Sequence, residues 1–407
     1  MTVSIDTIRD AARVIRGAVV RTPTVRSGSL SDLTGAEVYL KLETLQYTGS
    51  FKDRGALAKL ASLTPEQAKS GVIAVSAGNH AQGVAYHARR LGIPATIVMP
   101  VTTPFTKINR TEALGARVLL HGDTVSGCMP FAEGIMRQER LTFVHPFDDP
   151  YIISGQGTVG LEILEDLPAF DALIVPVGGG GLIAGIATAV AASGRSVEIV
   201  GVEAALYPSM RCSLRGEPIP AGGATLAEGI AVKTPGAITL PIVRALVDEV
   251  VVADELPLED AVQTMIVRAK VLAEGAGAAP LAALTQMRER FVGRTVVLVV
   301  SGGNIDSRIL ASVLMRGMVR SGQMARLRVT ISDTPGILAR VAQRIGERGG
   351  NIVEIVHQRL FFDVPVKQAE VDIVIETQDA DHIAEIIRHL EEQGFPAWRL
   401  GDTAHTG

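Results

Sequence analysis

Between residues 37 and 310 the chain repeats one alternation: a short apolar run rich in β-branched residues, then an alanine-rich or polar stretch of helical length. The runs are VYLKLE, GVIAVS, ATIVMP, RVLLHG, LTFVHP, DALIVPVG, VEIVGVE, EVVVAD and TVVLVVSGG. Segments such as NHAQGVAYHARRLG and GLIAGIATAVAASG lie between them. Strands that are apolar on both faces and separated by helices belong to parallel sheets covered on both sides. The pattern predicts a doubly wound α/β architecture. In such sheets ligands bind beyond the carboxyl ends of strands, where loops lead into helices.

One unit, residues 172–193, carries no charge and is long enough to resemble a membrane span. Pro176 and four consecutive glycines interrupt it, and each glycine costs a helix about 1 kcal/mol against alanine. A buried strand, a glycine turn and a buried helix fit better, and no membrane partner is expected. The 407 residues are 47% hydrophobic, enough for two or three large cores. A net charge of −4 with 4% aromatics gives no electrostatic footprint for nucleic acid. Cys128 and Cys212 stand far apart, without a C-x-x-C, so neither a disulfide framework nor a zinc site is indicated. Asp6 and Asp10 fall where an export signal needs an apolar run. These features fit a reducing cytoplasm.

The composition changes near residue 320. MRGMVRSGQMARLRV reads as a connector, and a second unit follows over 325–407. Its expected elements are a strand at 325–331, a helix at 336–348, strands at 351–360 and 369–376, a helix at 380–392 and a last strand AWRL. This β-α-β-β-α-β order is the ferredoxin-like motif.

Three glycine-rich turns end separate apolar runs. VPVGGGGLIAG places Gly178, Gly179, Gly180 and Gly181 before a helix, where backbone N–H groups can hold an anion. It is neither G-x-G-x-x-G nor a P-loop. AVSAGNHAQG offers Ser76, Gly78, Asn79, His80 and Gln82 at a second helix start, where the plain alternative is an ordinary cap. VVSGGN presents Ser301 and Asn304. Lys52, in TGSFKDRGA, would ordinarily be a solvated surface charge. Beside an anion cradle and small polar groups it matches what pyridoxal 5'-phosphate requires: an amine for covalent attachment, phosphate donors and a partner for the ring nitrogen.

TGSFKDRGA, SAGNHAQG, GQGTVGLEI, VGGGGLIAG, EGAGA and SGGN, in this order, resemble the fold-type II pyridoxal-phosphate enzymes, which are tryptophan synthase β-like. Within them they are most similar to the threonine ammonia-lyases, or threonine dehydratases. The likeness covers residues 5–318. It implies a catalytic domain over 1–320 built of two α/β subdomains, the smaller roughly 53–152. It also implies that Lys52 binds the cofactor covalently and acts as the base at Cα, with Phe51 against the cofactor ring and Asn79 on its 3'-hydroxyl. Gly178–Gly181 would bind the phosphate, and Ser301 would meet the pyridine nitrogen. Ser76, Ala77, Gly78 and His80 would hold the substrate carboxylate. The implied reaction is β-elimination of L-threonine to 2-oxobutanoate and ammonia, with L-serine as a further substrate.

Two departures among the relatives bear on the reaction. A neutral Ser301, rather than an acid, leaves the pyridine nitrogen unprotonated, which favours expulsion of a β-leaving group over transamination. Serine racemases carry a serine where this chain has Ala77, and a methyl group cannot deliver a proton. Those relatives also bind a divalent metal through two carboxylates; here Glu203 remains but Ser209 stands where the second acid would fall, so the sequence gives a metal there no support.

The C-terminal unit resembles an ACT domain through SDTPGIL and ERGGNIVEI. That likeness implies amino-acid effector binding near Pro335, Gly336, Gly350 and Asn351, with isoleucine or valine as candidates, and a homodimer or homotetramer. It fits a role in amino-acid metabolism, isoleucine biosynthesis included. A ferredoxin-like domain that only dimerises is the alternative. His121, His145 and Glu274 read first as capping or packing residues, and Asp148 and Asp149 as the start of a turn. The competing functions are a serine racemase or dehydratase, a 3-hydroxyaspartate dehydratase, and an amino-acid sensor with an inactive catalytic body.

Overall fold

The computed structural model describes residues 2–357, 365 and 367–401. The end of the expected strand 351–360 and the last residues of the expected 325–407 unit lie outside them. Contacts divide the chain into two compact units, one running to Ile305 and one starting at Asp306.

In the first unit ten strands follow in chain order: β1 Thr24–Arg26, β2 Glu37–Leu42, β3 Val72–Val75, β4 Ala95–Met99, β5 Arg117–Leu120, β6 Thr142–Phe143, β7 Ala172–Pro176, β8 Glu198–Ala204, β9 Glu249–Ala253 and β10 Thr295–Val300. They form two sheets, ordered β1-β2-β10-β7-β8-β9 and β5-β4-β3-β6. All nine expected runs are strands, and every pairing among them is parallel. The exception to an all-parallel reading is β1, which joins the edge antiparallel to β2. Three residues, TVR, are too short to show a period.

The apolar faces close several cores, among them one against each sheet. Ile153, Val175, Ile183 and Val297 belong to that of the larger sheet, and Ala74, Val84, Ala85 and Ile97 to that of the smaller. Each fully buried valine or isoleucine contributes roughly 1.5–3 kcal/mol. The residues 172–193 form β7, a glycine turn and the helix Gly181–Ala192, and no helix among the described residues is long and apolar enough to cross a membrane.

The helix Lys52–Ala61 crosses the helix Pro150–Asp166 at two glycines. A Cβ on Gly155 would lie 2.7 Å from the carbonyl oxygen of Arg54 and from Gly55 Cα, so only glycine permits this approach. Arg54, beside it, is fully buried. Its guanidinium meets Glu43 at 2.8 Å and Glu162 at 2.7 Å, and Lys41 reaches Glu162 at 2.6 Å. Burial alone would push the Glu43 carboxyl up, but the Arg54 guanidinium outweighs it and holds that carboxyl below its usual range.

The second unit begins with the helix Ser307–Arg320, capped by Asp306, whose carboxylate accepts from the N–H groups of Arg308 and Ile309. The expected connector is thus helical as far as Arg320, with the turn at 321–323. Four strands follow, β11 Met324–Ser332, β12 Asn351–His357, β13 Gln368–Glu376 and β14 Ala397–Arg399, in the antiparallel order β12-β13-β11-β14. The helices Ile337–Glu347 and Ala380–Glu392 bury Ile337, Val341, Ile345 and Ile383, Ile386, Leu390 against the sheet, at helical spacing.

Candidate active site

The sheet order makes β2, β10 and β7 neighbours, so the segments that leave their carboxyl ends converge. β2 leads through a short turn to Lys52, β10 ends at Ser301, and β7 ends at the glycine loop. The smaller sheet adds two loops: residues 76–80 after β3 and residues 144–149 after β6.

Hydrogen bonds join these segments. The Phe51 N–H donates to the Ser301 carbonyl at 3.0 Å, and Ser50 pairs with Gly302 in an isolated bridge. Lys52 Nζ donates to the Pro146 carbonyl at 2.6 Å and lies 5.1 Å from the centroid of the Phe51 ring. Burial pushes its ammonium down to about 8, against the opposing charge of Glu274. An amine in that range is available as a nucleophile and base near neutral pH.

Asn79 starts the helix Asn79–Leu91. Its Nδ2 donates to Glu274 Oε1 at 2.6 Å, and its Oδ1 accepts from Asn304 Nδ2 at 2.7 Å. An amide has two N–H donors, so a ligand contact remains open beside Glu274. Burial raises the Glu274 carboxyl to about 7, although the Asn79 bond opposes the rise. The packing residue expected at 274 is therefore the group that orients Asn79. Arg110, from the small subdomain, donates to Asn304 Oδ1 at 3.0 Å and extends the network outward.

In the loop 76–80, Ser76 Oγ accepts from the Gly78 N–H at 3.1 Å, and Ala77 and Gly78 remain partly exposed at the helix start. The His80 ring turns away. It is buried, its Nε2 meets the Val144 carbonyl at 2.9 Å, and burial together with the Lys52 charge lowers it to about 3. Only the backbone of residue 80 can serve this loop.

Three of the four glycines have a structural explanation that a short turn alone would not give. A Cβ on Gly179 would sit 2.3 Å from the Phe147 ring, and one on Gly181 would sit 2.9 Å from the Phe147 carbonyl oxygen. Gly180 has φ +94°, and its Cβ would meet Met210 Cε at 2.6 Å. The loop is packed from behind, and the helix Gly181–Ala192 starts from it with the unpaired N–H groups of a first turn. An anion cradle, an amine near 8, an aromatic ring and a neutral serine form a donor set that fits pyridoxal 5'-phosphate.

The segment 144–149 had little visible signal. His145 Nδ1 accepts from the N–H groups of Phe147, at 3.2 Å, and Asp148, at 2.7 Å, as expected of a capping residue. Asp149 caps the helix Pro150–Asp166 and pairs with Lys59 at 2.6 Å. Pro146, Phe147 and Asp148 were missed as site residues; the only hint was a rigid HPFDDP stretch at a strand end. His121 stacks on Phe131, with centroids 4.2 Å apart. Glu203 accepts from the Met210 and Arg211 N–H groups at 2.8 and 2.9 Å, so its carboxylate closes a helix start, and burial raises it to about 7.

Two α/β subdomains around a lysine and a glycine cradle define a class, and comparison agrees. A family model described as pyridoxal-phosphate dependent enzyme matches residues 15–302, and an ACT domain model matches residues 320–393. The chain belongs to the pyridoxal-phosphate dependent enzymes, with pyridoxal 5'-phosphate as cofactor, and carries an ACT domain.

Its particular relatives are narrower. It is 43% identical over 402 residues to the L-threonine ammonia-lyase of Thermotoga maritima, covering 98% of this chain and 100% of that one. The processed form of threonine deaminase isoform 2 from Solanum lycopersicum is similar in structure, with TM-score 0.71 and 35% identity over 76% of this chain and 93% of that chain. A maize serine racemase has TM-score 0.73 and 33% identity over 79% of this chain and 99% of that one.

Proposed function

We propose that this protein is an L-threonine ammonia-lyase that also accepts L-serine. The observation that carries the reading is the Lys52 amine, pushed down to about 8 and held on a peptide carbonyl in a chain similar to the Thermotoga maritima enzyme over its whole length.

Bound pyridoxal 5'-phosphate supplies the sink for the electron pair left at Cα. The backbone and Ser76 at residues 76–79 hold the substrate carboxylate at the start of a helix. Phe51 and Asn79 would hold the cofactor ring, Ser301 its nitrogen, and Gly178–Gly181 its phosphate. Lys52 Nζ, freed from Pro146, takes the Cα proton as general base. The Cβ–O bond then breaks as a Cα–Cβ double bond forms, and the hydroxyl takes up the proton that Lys52 removed and leaves as water. The released 2-aminocrotonate takes up water and yields 2-oxobutanoate and ammonia. Ala77 offers no proton on the opposite face, which supports elimination over racemisation despite the likeness to the maize racemase.

The ACT domain supports amino-acid control by isoleucine or valine, with the enzyme acting as a cytoplasmic homodimer or homotetramer in amino-acid metabolism, isoleucine biosynthesis included. Pro335 and Gly336 precede the helix Ile337–Glu347, whereas Gly350 and Asn351 follow it. Eleven residues span about 16 Å. An effector crevice built from all four therefore draws its two ends from paired copies. Gly350 also has a packing role, since its Cβ would lie 2.8 Å from Ile345 Cγ2, and Asn351 donates to Glu376 at 3.1 Å.

The test is 2-oxo acid formation from L-threonine, L-serine and 3-hydroxyaspartate side by side, with and without isoleucine and valine. Fastest turnover of L-threonine is expected. Preference for the acidic substrate would overturn the reading.

A further inference from the structure

The crossing segment between the subdomains ends in a carboxylate that neither cofactor nor substrate needs to touch. Asp148 Oδ2 accepts from the Ala237 N–H at 2.9 Å, while its Oδ1 accepts from Ile238 at 2.9 Å and Thr239 at 3.3 Å. These are the leading N–H groups of the helix Thr239–Leu246, whose own N-cap residue, Ile238, has no side chain able to cap. A carboxylate there satisfies the orphan donors and opposes the helix dipole. Asp148 is thus an N-cap supplied from a distant part of the chain.

What that helix start does next reaches the glycine loop. Thr239 Oγ1 donates to the Gly179 carbonyl at 2.6 Å, and the Gly236 N–H donates to the same oxygen at 3.2 Å. Both draw the Gly179 carbonyl toward the protein wall. Gly236 must itself be glycine, because a Cβ would lie 2.2 Å from Asp148 Oδ1. Phe147, one residue before Asp148, packs its ring where a Gly179 side chain would be, and Pro146, one before that, holds Lys52 Nζ. Three consecutive residues therefore hold the lysine, the back of the loop and the clamp on its carbonyl.

We infer that Asp148 is a positioning residue for the phosphate loop: by capping the helix Thr239–Leu246 it keeps Thr239 and Gly236 on the Gly179 carbonyl. The carbonyl oxygen is a negative dipole end that would repel a phosphate if it swung into the cradle. Removing the cap weakens the hold on the phosphate and leaves the lysine and the ring contacts in place. The inference rests on the reading that Gly178–Gly181 receive the cofactor phosphate.

The experiment compares two aldehydes that differ only in that phosphate. Protein stripped of cofactor is titrated with pyridoxal 5'-phosphate and with pyridoxal, following the absorbance of the bound aldehyde, for the wild type, Asp148→Ala and Asp148→Asn. Losing a charged helix cap is expected to weaken pyridoxal 5'-phosphate about ten-fold in Asp148→Ala while pyridoxal binding stays within about two-fold. Asp148→Asn, which keeps one acceptor oxygen, is expected to lose less. Equal losses for both aldehydes, the result of a merely structural role, or no loss for either would overturn the inference. A wild type that does not prefer the phosphorylated aldehyde would instead refute the loop's role as phosphate cradle. If Asp148→Ala does not fold, Thr239→Val removes the donor to Gly179 and leaves the cap, and must show the same selective loss.

Discussion

Lys52 Nζ lies 2.6 Å from the carbonyl oxygen of Pro146. A peptide carbonyl accepts a hydrogen bond from an amine without adding the full charge that a carboxylate would, so burial wins and the amine falls to about 8. In the protein stripped of cofactor, modification of Lys52 by an amine-selective acylating reagent should rise with pH through a midpoint near 8. Peptide mapping across a pH series measures it, and a midpoint at the ordinary lysine value near 10.5 would contradict the assignment.

Lys52→Ala should lower turnover by at least about a thousand-fold, since both attachment and proton abstraction are lost. The phosphate cradle remains, so the cofactor still binds without being fixed. Borohydride reduction followed by denaturation and mass measurement should show the cofactor mass on the wild-type chain and none on the variant.

Glu274 gives a pH dependence whose sign can be worked out. Its carboxyl is raised from the ordinary 4.5 to about 7, so in the window between these values the folded protein holds a proton that the unfolded chain has released. Stability from this group is complete below 4.5 and is lost as pH rises through 7, by a total on the order of 3 kcal/mol. Glu203, also raised to about 7, and Asp53, raised to about 6, act in the same direction. Glu274→Gln in the cofactor-free protein should flatten the fall in denaturation midpoint between pH 5 and 7.5, as urea titrations at each pH would reveal. An undiminished slope would exclude Glu274 as a source.

Arg54 is fully buried between Glu43 and Glu162. Arg54→Ala leaves two carboxylates without their main cation and should cost about 3–5 kcal/mol of stability. The effect belongs to folding, so folded variant saturated with cofactor should keep most of its turnover per bound site.

Ala77→Ser tests the outcome of the reaction. A hydroxyl at the start of the Asn79 helix would place a proton donor where the wild type has a methyl group. D-serine should form from L-serine in the variant and not in the wild type, as chiral chromatography would detect.

Much of this was legible in the residues. DALIVPVG and TVVLVVSGG read as buried parallel strands because their apolar runs are short, β-branched and ended by glycine turns. Lys52, Asn79 and Ser301 stood out because each sits at a glycine-rich turn, and the fold brings those turns together. The Asp148 carboxylate could not be read this way, because its partners at 237–239 are some ninety residues away and are backbone N–H groups, which leave no side-chain signature. The four glycines were read as a ligand's demand, whereas Phe147 and Met210 behind the loop demand Gly179, Gly180 and Gly181 as well. His80 looked like a binding group from its place in the loop, and only the fold shows its ring turned toward Val144.

Strand β10 lies between β2 and β7, pairing with β2 at every residue from Thr295 to Val300 and with β7 from Val296 to Leu298. During synthesis, β2 emerges more than 250 residues before the strand that must separate it from β7. Until then both strands present open edges, the feature that invites pairing with other chains. A nascent or prematurely terminated chain that stops short of residue 300 has Lys52 and the glycine loop but no strand to bring them together. The central strand of that sheet is thus the last of the first unit to leave the ribosome, and the segments bearing Lys52 and the glycine loop stay apart until it does.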